Sequence, residues 1–515
     1  MSKAGPYARN LVANWVSHLG NLVVMFLLSP YVVHTLGQTD YGIWSLLNVL
    51  AGYMGVLDLG VRASTGRHII LYLGKADHDA VDKTIRTGLG FYSAVGFLLL
   101  LTGALLGSAF PIFFTSVPES SHQLLRLLLP LMAVNIWLSA FGAVCSSVLI
   151  AHDRFDLARA IDLVVLAVRA AGTVLSLKWG YGLLGLVIVT LACNVLACLG
   201  NWAIAHRIYP RLRVLPFALD RVRLRELLRY GLAIFVARIA FKLIGQTDLV
   251  IAGAAFGVSA VTVYSVGAML IYYSGTFVGE ISQVFFPPTQ RAVARGDVSG
   301  AHVLFLRQVR LALIVGIPLF VGFIFFAEPF IRLWMLGSKF DESAVHTAAI
   351  VMGVLAGSKL LYLPCIGCAS LLDATGHVRF NAILTSAEAI CNLALSLFLA
   401  VTLRWGLPGI AMGTLLSRLL VGTFAHPWYA CRKTGMDGKQ FIIVAATASL
   451  VGIVFAGVCI LVRSLFATDS WATFAIQVSA ALLGYVPIAF WVLLPTTDRS
   501  RLYASFARSS AQQEA

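Results

Sequence analysis

The sequence predicts an all-α polytopic membrane protein of about 14 transmembrane helices, with two six-helix lobes as parallel repeats around a central cavity and two additional C-terminal helices. Three observations predict it. The 515 residues are 59% hydrophobic and 12% charged, whereas water-soluble domains carry about 25% charge. Apolar stretches of about 20 residues, enough to cross a hydrocarbon core of ~30 Å, recur from end to end. Within them the strict alternation of a membrane barrel is absent. Backbone groups deprived of water must then be paired inside helices.

The expected spans are 11–35, 41–60, 86–110, 124–150, 157–177, 183–205, 231–255, 262–284, 305–327, 346–371, 380–403, 407–429, 441–462 and 472–494. Lys3 and Arg9 precede the first apolar run, and no small-residue cleavage site follows a short core, so the first span reads as a retained helix. The domain layout is an N-terminal lobe over 1–206, a basic cytoplasmic linker over 207–229, a C-terminal lobe over 230–433, two further helices over 434–497 and a polar tail over 498–515. The 8 cysteines are scattered through apolar segments and imply no disulfide framework.

Charge orients the chain. With both termini cytoplasmic, roughly 27 Lys and Arg fall on the cytoplasmic side and about 5 on the other, as the positive-inside rule requires. The linker carries Arg207, Arg211, Arg213, Arg221, Arg223, Arg225 and Arg229 against Asp220 and Glu226. Fixing topology is sufficient reason for it. The formal charge of +15 therefore does not point to nucleic acid, which would need a soluble basic domain. No connection is large enough for a catalytic domain, so no enzyme activity is expected.

An internal repeat supports the duplication. Lys178-Trp179-Gly180 matches Arg404-Trp405-Gly406, Arg154-Phe155 matches Arg379-Phe380, and Tyr41 matches Tyr264, at near-constant offsets and equivalent places in the helix order. An even number of helices between copies makes the repeats parallel.

Polar residues recur at helical spacing inside the spans. Asn10, Asn14, Ser17, His18 and Asn21 share a face of the first, Arg238, Lys242 and Gln246 of the seventh, Tyr273, Thr276, Glu280 and Gln283 of the eighth, and Asn381, Thr385, Glu388 and Asn392 of the eleventh. Asp162 and Arg169 share a face of the fifth, and Lys359 and Arg418 are single cations on the tenth and twelfth. A charged side chain at mid-bilayer costs about 2.5–3.5 kcal/mol on insertion scales, so these residues should face a protein interior or an aqueous cavity. Uncharged Asn and Ser also serve as glue between helices. The candidate substrate contacts are Arg169, Arg238, Lys242, Lys359, Arg418, Asn14 and Asn21, because buried Arg and Lys suit a phosphate group. Asp162, Glu280 and Glu388 are candidates for coupling to a proton or Na+ gradient, against a simpler role as partners of the cations.

Other chemistry is missing from the pattern. Cys365 and Cys368 have no second ligand pair for zinc. No phosphate-cradling Walker motif, nucleophile elbow or His-Glu-x-x-His occurs, and no cofactor is expected.

The run Asn14…Pro30-Tyr31…Leu36-Gly37…Tyr41-Gly42-Ile43-Trp44, followed by Asp58-Leu59-Gly60, resembles the N-terminus of the polysaccharide transporter branch of the multidrug/oligosaccharidyl-lipid/polysaccharide exporter superfamily. Asp248…Tyr264-Ser265 and Trp405-Gly406…Gly409 resemble later landmarks of that branch. The resemblance implies two six-helix lobes around a V-shaped cavity and alternating access. It implies a flippase for undecaprenyl-diphosphate-linked oligosaccharide units in O-antigen, capsule or exopolysaccharide synthesis, in a bacterial inner membrane. A polysaccharide polymerase and chain-length machinery are the implied partners, beside lipids and the lipid-linked substrate. A peptidoglycan lipid-precursor flippase and a multidrug exporter of the same superfamily are the alternatives. A drug exporter would favour acidic and aromatic cavity walls over Arg and Lys.

Overall fold

The computed structural model describes residues 4–152, 154–212, 219–494 and 499, apart from the side chains of 4–19, 230, 233–234, 236–244 and 283. The chain divides into two compact units, 1–262 with 337–340, and 263–336 with 341–515.

The first unit contains α1 (Ala4–Leu36), α2 (Gln38–Met54), α3 (Val61–Gly74), α4 (His78–Phe113), α5 (Glu119–Ala151), α6 (Phe155–Lys178), α7 (Gly182–Ile208) and α8 (Arg221–Phe256). α5 packs against α4 and α7, α6 against α7 and α1, and α3 against α4, α5 and α8. At one end of this bundle Val61, Ile69, Ile85, Leu89, Val144, Val148 and Leu227 form a closed core.

α3 falls in the connection between two expected spans, and the structure makes it a helix. It continues α2 after a 45° bend. The bend sits at Asp58-Leu59-Gly60, where Leu59 and Gly60 have φ of 48° and 73°. Asp58 Oδ1 accepts from the Arg62 amide at 3.1 Å, satisfying a free N–H of the new helix, and also from the Tyr92 hydroxyl of α4. The break allows a backbone contact. A Cβ on Gly60 would stand 2.3 Å from the Gly231 carbonyl, and one on Gly231 would stand 2.6 Å from the Leu59 carbonyl.

The described part of the basic linker is tied to this unit. Asp220 caps α8, accepting from the amides of Val222 and Arg223 at 2.9 and 3.1 Å. The Tyr72 hydroxyl donates to Glu226 Oε2 at 3.0 Å, and Arg223 Nη1 reaches the same oxygen at 2.8 Å. Partial burial pushes the Glu226 carboxyl up, but hydrogen bonds from Arg223 and Tyr72 outweigh it and hold the carboxyl below its usual range. Tyr209 donates to Asp82 Oδ1 at 2.7 Å. Arg213 lies outside the described residues.

α9 (Val258–Ala294) begins in the first unit and continues into the second. The second unit adds α10 (Val298–Met335), α11 (Glu342–Tyr362), α12 (Cys368–Ala374), α13 (Val378–Leu397), α14 (Gly406–Ser417), α15 (His426–Thr434), α16 (Gly438–Leu465) and α17 (Trp471–Ile488). α10 packs on α11, α16 and α17, and α14 packs on α11 and α13. The Tyr485 hydroxyl of α17 donates to the Ile314 carbonyl of α10 at 2.9 Å. The expected span 346–371 is broken at Pro364, where α11 gives way to a 3₁₀ turn, Leu363–Cys365. Pro30 and Pro318 sit inside uninterrupted helices.

Among the described residues, 11 helices are long and apolar enough to cross a membrane, or 12 if the bent α2–α3 pair is one span. The two other expected spans, 11–35 and 231–255, fall on α1 and α8, of 33 and 36 residues. Outer faces are apolar, as lipid requires: Ile442, Ile443, Leu450, Ile453 and Leu461 of α16 are all exposed.

Candidate cationic site

α13 is built inside out. Its buried face carries Asn381, Thr385, Glu388, Asn392 and Ser396, while Ile383, Ile390, Leu393 and Leu397 are exposed. In water this pattern would be unstable. In lipid it puts the apolar side outward and the polar stripe against neighbouring helices. Three of these residues find a hydrogen-bond acceptor there. Asn381 donates to Asp373 Oδ1 at 3.0 Å, Asn392 to Thr414 Oγ1 at 2.8 Å, and Ser396 to the Ile410 carbonyl at 3.1 Å. The approach of α14 is close because Gly413 faces Ser396: a Cβ there would lie 2.3 Å from its Oγ and 2.5 Å from its backbone nitrogen.

This packing brings three predicted residues together within the second unit. Glu388 of α13 is 2% exposed. Its Oε1 lies 3.0 Å from Arg418 Nε, whose side chain is 11% exposed. Neither atom completes a hydrogen bond, so the pair is a charge contact at poor angle rather than a fork-on-carboxylate pairing. The Arg418 guanidinium also lies over the Tyr362 ring, 4.4 Å from its centroid. Lys359, on α11, interacts with the charges of both Glu388 and Arg418, and its Nζ is 5.9 Å from the Tyr272 ring centroid. Two cations therefore share one carboxylate, leaving a net positive cluster lined by two tyrosines.

Local backbone geometry contributes. Arg418 opens an eight-residue π-helical segment, Arg418–Ala425. The wider turn displaces side chains from the register of α14, and such segments are frequent at functional positions. Thr423 Oγ1 donates to the Arg418 carbonyl at 3.2 Å. His426, 2% exposed, follows the segment with its Nδ1 unpaired among the described residues.

The other predicted residues lie apart from this cluster or outside the described set. Arg169, on α6, is half-buried, and its Nε has no hydrogen-bond partner among the described residues. Asp162, on the same helix, does not join it; it is exposed and paired with Arg159 at 2.7 Å. Seven residues separate Asp162 from Arg169, about two turns, so sharing a face placed them at different depths. Glu280 of α9 is exposed and Asn21 of α1 is half-buried. Asn14, Arg238 and Lys242 are on α1 and α8, but their side chains lie outside the described residues.

Sequence reasoning missed Tyr272, Tyr362, the π-helical segment and His426. Tyr362 was legible in principle: it stands three residues after Lys359, on the same helix face. The π-helical segment left no signal, because its residues also suit an ordinary helix.

The two repeat landmarks reappear as tight turns. Lys178-Trp179-Gly180 ends α6, with Gly180 at φ 80°, and Arg404-Trp405-Gly406 precedes α14, with Arg404 and Gly406 at 58° and 65°. Trp179 and Trp405 are both exposed.

Comparison with known proteins agrees with this architecture. A family model described as "Polysaccharide biosynthesis protein" matches residues 74–345. The "Uncharacterized membrane protein EpsK" of Bacillus subtilis (strain 168) is 23% identical over 510 residues, covering 97% of this chain and 98% of its own. The "Putative O-antigen transporter" of Shigella flexneri is 20% identical over 405 residues, covering 78% and 92%. In fold, the chain is similar to the lipid II flippase MurJ in an inward closed conformation, with a TM-score of 0.74 and 14% identity over 93% of this chain and 97% of that one. The inside-out helices, the buried cations and the family match converge: this chain is a multi-pass membrane transporter belonging to the polysaccharide biosynthesis family, in the polysaccharide transporter branch of its exporter superfamily.

Proposed function

We propose that the protein flips undecaprenyl-diphosphate-linked oligosaccharide units across a bacterial inner membrane by alternating access, with both termini cytoplasmic, for O-antigen, capsule or exopolysaccharide synthesis. The observation that carries this reading is the surplus of positive charge at Lys359, Glu388 and Arg418, buried behind apolar helix faces. A diphosphate crossing the bilayer loses its hydration, and in low dielectric fixed cations replace it. Arg418 offers a planar fork and Lys359 a mobile point charge, which together suit phosphate oxygens. The Tyr362 and Tyr272 rings hold the cations without neutralising them.

Arg169 is a second candidate contact, since its buried Nε has a free donor among the described residues. Arg238, Lys242, Asn14 and Asn21 remain candidates by sequence. Of the carboxylates weighed for ion coupling, Glu388 is the one held beside two cations, whereas Asp162 and Glu280 are exposed. The polymerase and chain-length machinery are the proposed receivers of the flipped units.

The test uses a strain whose only copy carries Lys359→Ala or Arg418→Ala. Surface glycan should fall at least tenfold, with lipid-linked repeat units stranded on the cytoplasmic face and normal amounts of inserted protein. Full-length surface glycan from both variants would remove the cationic cluster from the transport path. Stranded lipid II in place of oligosaccharide units would favour the peptidoglycan alternative.

A further inference from the structure

Resting on the reading above, we propose that binding of a diphosphate diester at Lys359 and Arg418 takes up one proton, and that the proton goes to the Glu388 carboxylate. Arg418 is already engaged. Its Nε lies 3.0 Å from Glu388 Oε1, without hydrogen-bond alignment on either atom. A phosphate that claims the guanidinium competes with this carboxylate for the same donors.

Charge balance decides the outcome of the competition. Lys359 and Arg418 supply two positive charges and Glu388 one negative. A diphosphate diester brings two negative charges at neutral pH. With Glu388 ionised, the loaded site holds one uncompensated negative charge in a water-poor environment, where charge imbalance is most costly. With Glu388 protonated, the sum is zero. The diester itself is too acidic to take the proton, so the carboxyl oxygen does.

The surroundings offer few rivals. α14 and the π-helical segment Phe398–Thr402 carry no titratable side chain. Asp373 of α12 accepts from Asn381, about two turns from Glu388 along α13. Cys365 Sγ donates to the Thr423 carbonyl at 3.8 Å, and the Tyr362 ring lies against the Arg418 guanidinium. Tyr272 lies beyond Lys359. His426 is the real competitor, since it is buried and interacts with the Arg418 charge.

The charge count also predicts a contrast. A phosphodiester-linked sugar brings one negative charge, which the ionised cluster already balances, and its binding should take up no proton.

The experiment is calorimetry on the purified full-length protein in detergent, at pH 7, in buffers of differing ionisation enthalpy. The probes are a short-chain prenyl-diphosphate N-acetylglucosamine and the matching prenyl-phosphate sugar. The expected uptake is about one proton for the diphosphate and about none for the monophosphate, with affinity for the diphosphate tightening up to tenfold per unit fall in pH. Glu388→Gln should bind the diphosphate without uptake, while His426→Gln keeps the wild-type count. Diphosphate binding with no uptake by the wild type, or undiminished uptake by Glu388→Gln, overturns the inference and leaves the proposed function standing. Loss of uptake in His426→Gln alone moves the proton to the histidine and also overturns it. Binding of neither probe at any pH removes both the inference and the function beneath it. The two-probe contrast in the wild type decides the matter even if the Gln variant fails to fold.

Discussion

Replacing Glu388 with Leu should destabilise the second unit more than any other change at the cationic site. Glu388 is 2% exposed and its Oε1 is 3.0 Å from Arg418 Nε. At an effective dielectric of about 20 that contact is an attraction on the order of 5 kcal/mol, much of which offsets the cost of burying both ions. Deleting the carboxylate leaves the like charges of Arg418 and Lys359 without their shared counter-ion. Removing one partner of a buried pair costs about 3–5 kcal/mol. Arg418→Leu should cost less, because Lys359 remains to compensate Glu388. The double replacement Glu388→Leu with Arg418→Leu should recover part of the loss, since it removes the repulsion between Arg418 and Lys359 but leaves Lys359 buried without a counter-ion. A thiol-reactive dye reports unfolding directly, because Cys365, Cys368 and Cys459 of the same unit are buried in the folded state. The expected order of unfolding temperature is wild type highest, Arg418→Leu next, the double variant below it and Glu388→Leu lowest. A Glu388→Leu variant as stable as the double variant would refute the view that the carboxylate holds two cations together.

Other consequences concern the packing that positions the site and the hinge in the first unit. Gly413→Ala should separate α13 from α14, because its Cβ would meet Ser396 backbone at 2.5 Å; overpacking of this kind costs about 1–3 kcal/mol, and transport should fall with stability in the dye assay. Gly231→Ala places a Cβ 2.6 Å from the Leu59 carbonyl, so glycan export should drop while the helix content seen by circular dichroism is unchanged. Glu226 is held below its usual carboxylate range in the folded protein, so its contribution is present at neutral pH and is lost as pH falls below about 4.5 and through the folded value. Protease cleavage between α7 and α8 should therefore accelerate on acidification, and Glu226→Gln should be cleaved faster already at pH 7.

Helix type and membrane class were legible in the sequence because they depend on composition along one strand of chain. Any run of about 20 apolar residues in lipid has to be a helix, whatever surrounds it. The stripe Asn381, Thr385, Glu388 and Asn392 was likewise legible as one face, since helical periodicity is local, and that face is buried. Asp58-Leu59-Gly60 was visible as a motif but not as a bend, because its positive φ angles matter only with Tyr92 and Gly231 beside it. Tertiary structure alone decided which charges meet. Lys359, Glu388 and Arg418 lie on three helices, separated by tens of residues, and electrostatic contact falls off with distance in space rather than along the chain. Asp162 and Arg169 share one helix face and still do not meet, because two turns of rise separate them.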